Sequence, residues 1–226
     1  MIQLHRDGDV YVLHMRDDEN RMNRTWLDAM NAALDEVEAD PTAGSLVTTG
    51  EGKFYSNGLD LEWLLRPDTE DMRQFVAEVE KLLARVIEFP LITVAGCNGH
   101  TFAAGAMLAL CHDFRVMRAD RGFFCLPEAD IKIPFTPGMN SLIMKRLTIT
   151  TAHEVMVTAK RVGGEEAERK HIVHAAVPVG DVLPRAIEMA AAAGGKDRAT
   201  LQVIKRRMYG ETIDLLSNSL GTATQE

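Results

Sequence analysis

The amino-acid sequence predicts an α/β layered fold closed by a helical C-terminal region. Three observations carry that reading. Strand-like segments alternate with helical patterns through the first two thirds of the chain, and helical patterns dominate afterwards. The chain has 226 residues, 46% of them hydrophobic, enough to bury a core without a disulfide or metal staple. Cys97, Cys111 and Cys125 are odd in number, lie in apolar surroundings and show no C-x-x-C spacing, so they read as buried thiols of a reducing compartment.

Val10–Met15 is rich in β-branched and aromatic residues and predicts a strand that ends in the turn-prone Asp17-Asp-Glu-Asn20. Leu27, Met30, Ala33, Leu34 and Val37 recur at helical spacing, predicting a helix over Trp26–Val37 with Thr25 as its N-cap. Ser45–Thr49 predicts a short strand. The glycine-punctuated Gly50–Gly58 predicts a loop leading into Leu59–Leu65, and Arg66–Glu70 a polar separator. Phe75, Val79, Leu82, Leu83 and Val86 mark a helix over Met72–Glu88, stopped by Pro90. Leu91–Ala95 predicts a buried strand, Ala103–Cys111 an apolar helix, and Phe114–Met117 and Phe123–Cys125 two further strands. Helices are expected at Met139–Arg146, Thr151–Thr158, Gly164–Lys170, Leu183–Ala193 and Ala199–Tyr209.

Twenty-five Lys+Arg stand against 33 Asp+Glu, a formal net charge of −8, which argues against a nucleic-acid or anionic-lipid surface because such surfaces need clustered cations. No stretch reaches the ~18 uninterrupted apolar residues of a membrane span. The N-terminus has no basic region before an apolar run, and Ala-Thr-Gln-Glu at the C-terminus is not a Ser-Lys-Leu-type address. The expectation is a cytoplasmic protein with neither a nucleic-acid nor a membrane partner.

Three segments stand out as candidates for chemistry. In Lys53–Asp60, Gly58 precedes a helix start, which leaves backbone N–H groups near Leu59 free to meet an anion or carbonyl oxygen; the same pattern suits a plain βα turn capped by Asp60. In Asn98–Met107, Gly99, Ala103, Ala104, Gly105 and Ala106 strip side chains from the start of a helix, for close packing or for ligand approach. In Phe124–Pro134, Glu128 is flanked by Leu126, Ile131, Ile133 and Phe135. Partial desolvation there would raise its pKa and suit it to accept and return a proton.

The order and spacing of these segments, preceded by Asn20-Arg-Met-Asn23, resembles the crotonase superfamily, also called the enoyl-CoA hydratase/isomerase family, from about Val10 to Val177. Gly58-Leu-Asp60 is similar to that family's first oxyanion loop. Ala103–Asp113, which ends in a Cys-x-Asp pattern, is similar to its second. The resemblance implies a spiral of ββα units over residues 1–177 and a helical trimerisation region over 178–226. It also implies an acyl-CoA thioester substrate whose carbonyl oxygen is held by the N–H groups of Leu59 and Ala104, and an assembly of homotrimers or hexamers. Substrate contacts are implied at Met22, Asn23, Asn57, Gly58, Asp60, Gly105 and Phe135. Neither a metal nor a cofactor beyond the substrate's own CoA is implied.

Departures from the family pattern narrow the reaction. Hydratases of the family are similar in using two glutamates; the first falls at Met107 here and the second at Glu128. A lone carboxylate resembles the Δ3-Δ2-enoyl-CoA isomerases, in which one base takes a proton from C2 and returns it at C4. Ser56–Leu61, Met117–Gly122 and Ile133–Gly138 resemble the same group. The alternatives are a hydratase, a decarboxylase, a thioester hydrolase or a non-catalytic acyl-CoA-binding member. Glu62 stands where hydratases often carry a lysine, and His171 where a glycine is usual.

Other residues invite a role. His100 and His112 lack a nucleophile partner and read as structural, Cys111 and Cys125 read as core, and Asp130 lies outside the matching position. Lys205-Arg-Arg207 suits either CoA phosphates or a solvated helix face. Trp63, Met72, Phe75 and Phe135 are the candidates for setting pocket depth.

Overall fold

The computed structural model describes residues 2–67 and 71–219. Its larger sheet has the spatial order β1 (Ile2–Asp7), β2 (Val10–Met15), β3 (Ser45–Gly50), β5 (Ile92–Cys97), β7 (Phe114–Arg118), β9 (Ala175–Val177). β1 and β2 form an antiparallel hairpin, and every other neighbouring pair is parallel. A second, parallel sheet consists of β4 (Phe54–Ser56), β6 (His100–Phe102) and β8 (Phe124–Cys125).

Three times the chain makes a strand of the large sheet, a strand of the small sheet and then helix. β3 and β4 lead to α2 (Leu61–Leu64) and α3 (Met72–Ile87), β5 and β6 to α4 (Ala104–Cys111), and β7 and β8 to α5 (Glu128–Ile131). This is the crotonase-type spiral of ββα units. Its consequence is positional: β4, β6 and β8 lie side by side and parallel, so the residues that follow their C-terminal ends are brought to one place.

Register explains the two-sided burial of the large sheet. Val12 pairs with Val47 and Val47 with Val94, so valines line up across strands on one face. There Val10, Val12, Val47, Val94 and Val116 pack against Val182, Ala186 and Ala190 of α9 (Val182–Ala193). The opposite face carries the larger core, with α1 (Arg24–Ala39), α3, α4, α6 (Pro137–Arg146) and α10 (Arg198–Ser217). α7 (Ile149–Thr158) and α8 (Gly164–Arg169) complete the described helices. α4 is buried at all eight positions, as expected for a helix that is apolar on every face.

Several local expectations are corrected. Asn23, not Thr25, caps α1, its side-chain oxygen accepting from Trp26 N at 3.0 Å. β1, β4, β6 and β9 were not anticipated; the last three are three-residue strands and β1 is largely polar, so alternation is too short or too weak to read. Glu128 lies at the start of a short helix rather than in a loop. α10 extends well past Tyr209, and Lys205 is neither solvated nor free. It is 3% exposed, and its Nζ donates to Asp113 Oδ2 (2.6 Å), Leu91 O (2.8 Å) and Phe89 O (3.1 Å). His171 follows α8 at φ +57°, the left-handed conformation that glycine adopts more easily. Residues 68–70 of the polar separator and 220–226 of the C-terminal region lie outside the described residues.

Candidate active site

A cavity of about 400 Å³ opens where the small-sheet strands end. It is lined by Leu59 after β4, by Ala103 and Ala104 after β6, and by Pro127 and Glu128 after β8, one group from each turn of the spiral. Met107, Phe102, Val76, Thr136 and Met139 supply a largely apolar wall.

The first two loops touch. Gly58 has φ +82°, and a Cβ there would fall 2.9 Å from Ala103 Cβ and 3.1 Å from Ala104 N, so glycine is required both by conformation and by space. The buried Met22 pins this loop from the other side: Met22 N donates to Gly58 O (2.7 Å) and Asp60 N to Met22 O (2.9 Å). That pairing brackets Leu59 and leaves its amide outside the ladder. Neither the Leu59 nor the Ala104 amide has an acceptor among the described residues.

Ala103 adopts φ +50°, unusual for a residue with a Cβ, and turns the chain from β6 into α4. Ala104 N–H is therefore in the unsatisfied first turn of a buried helix whose positive end faces the cavity. The other end of α4 is held by arginines. Arg146 Nε donates to Leu110 O (2.7 Å), another Arg146 nitrogen to His112 O, and Arg115 Nη1 to His112 O (2.9 Å). The small residues serve different neighbours: a Cβ on Gly105 would meet Ser56 O at 2.6 Å, so Gly105 exists for close packing on β4, while Ala103 and Ala104 line the cavity.

Glu128 is 7% exposed, and its Oε2 has no hydrogen-bond partner among the described residues. Burial raises its pKa to about 7, opposed by one hydrogen bond from backbone. The cavity's other carboxylate, Glu62, is 83% exposed at its side chain and pairs with Arg21 Nη1 at 3.2 Å. Arg21, which the sequence reading placed only within a motif, also meets Glu19 at 2.7 Å, and Glu19 in turn accepts from Asn57 Nδ2 at 2.7 Å.

Of the anticipated contact residues, only Asn57 joins Leu59, Ala104 and Glu128 in the lining. Asp60 caps α2 through Trp63 N (3.1 Å), Asn23 caps α1, and Gly58, Gly105 and Met22 shape the loops. Phe135 packs on the core from outside the lining, and Phe75 is buried against Trp63; Val76, Met107 and Met139 stand in the wall. Val76 and Met139 carry no motif, and Thr136 was read only as a member of Ile133–Gly138, so their place beside the cavity is what singles them out. Asp130 is exposed. His100 sits outside the lining among Phe54, Phe102 and Phe123, its pKa lowered by burial and by Lys53, Arg161 and Arg118. Burial raises the Cys125 thiol to about 11 and the Cys97 thiol to about 12. No group of three metal-ligating side chains occurs among the described residues, and no described helix is long and apolar enough to cross a membrane.

A spiral of ββα turns with two unpaired amides and a buried carboxylate at the strand ends defines a crotonase-type protein, and comparison with known proteins agrees. Residues 6–222 match the family model described as enoyl-CoA hydratase/isomerase. The chain belongs to that family. It is 31% identical to enoyl-CoA delta isomerase 3 of Arabidopsis thaliana over 98% of this chain and 99% of that protein. It is 33% identical to the same plant's peroxisomal enoyl-CoA delta isomerase 2 over 78% of this chain and 77% of the other. Among solved structures, a probable enoyl-CoA hydratase from Mycobacterium tuberculosis superposes with a TM-score of 0.90 at 25% identity, covering 97% of this chain and 93% of that one.

Proposed function

We propose that the protein isomerises 3-enoyl-CoA to trans-2-enoyl-CoA. The observation that carries this reading is that a single buried carboxylate, Glu128, faces the cavity with a pKa near neutrality and no ionic partner among the described residues. A base of that pKa takes a proton from C2 of the substrate and, once protonated, delivers it to C4. Removal of the C2 proton puts negative charge on the thioester oxygen. The Leu59 and Ala104 amides, preorganised and without acceptors among the described residues, are the donors for it, each worth roughly 3–4 kcal/mol of barrier. The acyl chain takes the apolar wall formed by Val76, Met107 and Met139.

Named isomerases among the relatives support the reading, as does Met107, 1% exposed, whose thioether offers no base to position water. Hydration is the second reading, favoured by a putative enoyl-CoA hydratase of Thermus thermophilus that is 32% identical over 84% of this chain. No cofactor beyond the CoA of the substrate enters this scheme. Self-association as a trimer or hexamer belongs with it, supported by the exposed Val203, Ile204 and Met208 on α10.

The test is ultraviolet-monitored conversion of trans-3-hexenoyl-CoA to the conjugated 2-enoyl ester. Wild type converts it, and Glu128→Gln loses about 10²–10⁴-fold in turnover while still binding the ester. Efficient hydration of crotonyl-CoA by wild type would overturn the isomerase reading in favour of the second.

A further inference from the structure

Glu80, on α3, is a second buried carboxylate that the scheme above does not use. It is 0% exposed, and no Lys, Arg or His side chain pairs with it among the described residues. Burial raises its pKa, and the hydroxyls of Thr136 and Ser219 oppose the rise. Keeping a carboxyl there costs stability, so its contacts explain its presence better than packing does. Its Oε1 accepts from the Thr136 hydroxyl, and the Thr136 Oγ1 itself accepts from Met139 N at 3.2 Å, capping α6. Thr136 and Met139 both line the cavity, as does Val76, one helical turn before Glu80 on the same face of α3.

The far side of this helix start is equally constrained. A Cβ on Gly138 would fall 2.8 Å from Leu216 Cδ2 and 3.0 Å from Leu216 Cα, so the first turn of α6 is wedged against α10. We propose that Glu80 is a positioning residue which, through Thr136, fixes the first turn of α6 against α3 and thereby sets how long an acyl chain the cavity accepts. The proposal rests on the acyl-thioester reading of the cavity. Glu80 touches no substrate in this account. It acts by holding Thr136 and Met139 at a set distance from Val76.

The experiment measures kcat and KM for a series of 3-enoyl-CoA esters from six to twelve carbons with wild type, Glu80→Ala, Glu80→Gln, Thr136→Val and the double variant Glu80→Ala with Thr136→Val, alongside thermal melts. Glu80→Ala is expected to change the ratio of kcat/KM between the longest and shortest esters about fivefold or more, chiefly through KM. Thr136→Val, which keeps the volume and removes the hydroxyl, should shift the ratio in the same direction, and the double variant no further than either single one. Glu80→Gln, whose amide oxygen still accepts from Thr136, should restore the wild-type profile. A chain-length profile that is unchanged in both Glu80→Ala and Thr136→Val, whatever their melting temperatures, would overturn the proposal. Failure of wild type to turn over any ester would overturn the reading on which it rests, and that outcome shows in the wild-type arm alone.

Discussion

At the scale of single residues, the useful quantity at Glu128 is the stability it costs. Its folded pKa, about 7, lies above the usual 4.5 of a glutamate, so the fold favours the protonated form. Its contribution to stability is therefore fully present below about pH 4.5 and is lost as pH rises through 7, a cost of about 3 kcal/mol by pH 8. Glu128→Gln removes the charge, so the variant should melt several degrees above wild type at pH 8, at about 2–4 °C per kcal/mol for a chain this long, and close to it at pH 5. Denaturation curves at the two pH values check this; equal gaps would mean the carboxylate is solvated. The burial of Glu128 was legible because apolar residues surround it in sequence. The places of Arg21 and Thr136 were not, since the motifs that contain them do not say which member's side chain turns to the cavity.

At the scale of elements, α4 shows what small residues in a sequence can and cannot reveal. Their run predicted a close approach but not by what, and the structure divides them between strand packing at Gly105 and cavity lining at Ala103 and Ala104. Gly105→Ala would place its Cβ 2.6 Å from Ser56 O and 2.7 Å from Ser56 Cβ, neither of which is the far end of a flexible chain. The helix must move off β4, at roughly 1–3 kcal/mol for overpacking, and Ala104 moves with it away from Leu59. A lowered melting temperature together with a reduced kcat is the expected pair of results; reduced stability at full kcat would show that the amide position tolerates the shift. The same limit hid β4 and β6, three-residue strands inside glycine-rich stretches, and it hid Lys205. A Lys-Arg-Arg run gives no sign of which member turns inward, yet Lys205 is the one that ties α10 to Asp113 and the carbonyls after α3.

At the scale of the whole molecule, the layered class and the succession of spiral turns were legible from periodicity and from family motifs, whereas the small sheet that aligns the turns was not. Acid stability is a property of this larger packing. His112 is fully buried, its Nδ1 2.8 Å from Leu108 O, so that nitrogen carries the proton and Nε2 accepts from Thr48 Oγ1 at 2.9 Å, which accepts in turn from Tyr55 OH at 2.8 Å. Burial lowers its pKa to about 4, so below pH 6.5 the unfolded chain takes up a proton that the fold refuses. Its stabilising contribution is present above pH 6.5 and is lost progressively toward pH 4, up to about 3 kcal/mol. His112→Gln should be less stable than wild type at pH 7.5, with the gap narrowing by pH 4.5. Urea denaturation midpoints for the pair test this, and a gap independent of pH would place the histidine's proton uptake elsewhere.

The threefold repetition of strand, strand and helix has a consequence for how such proteins diversify. Each turn delivers one working group to the same height, two of them main-chain amides that any side chain can accompany and one an acid that only its own codon provides. Mutation at the third turn can therefore exchange the acid while the first two turns keep their amides in place. The plan thus separates the part of the cavity wall that depends on main chain from the part that depends on a side chain.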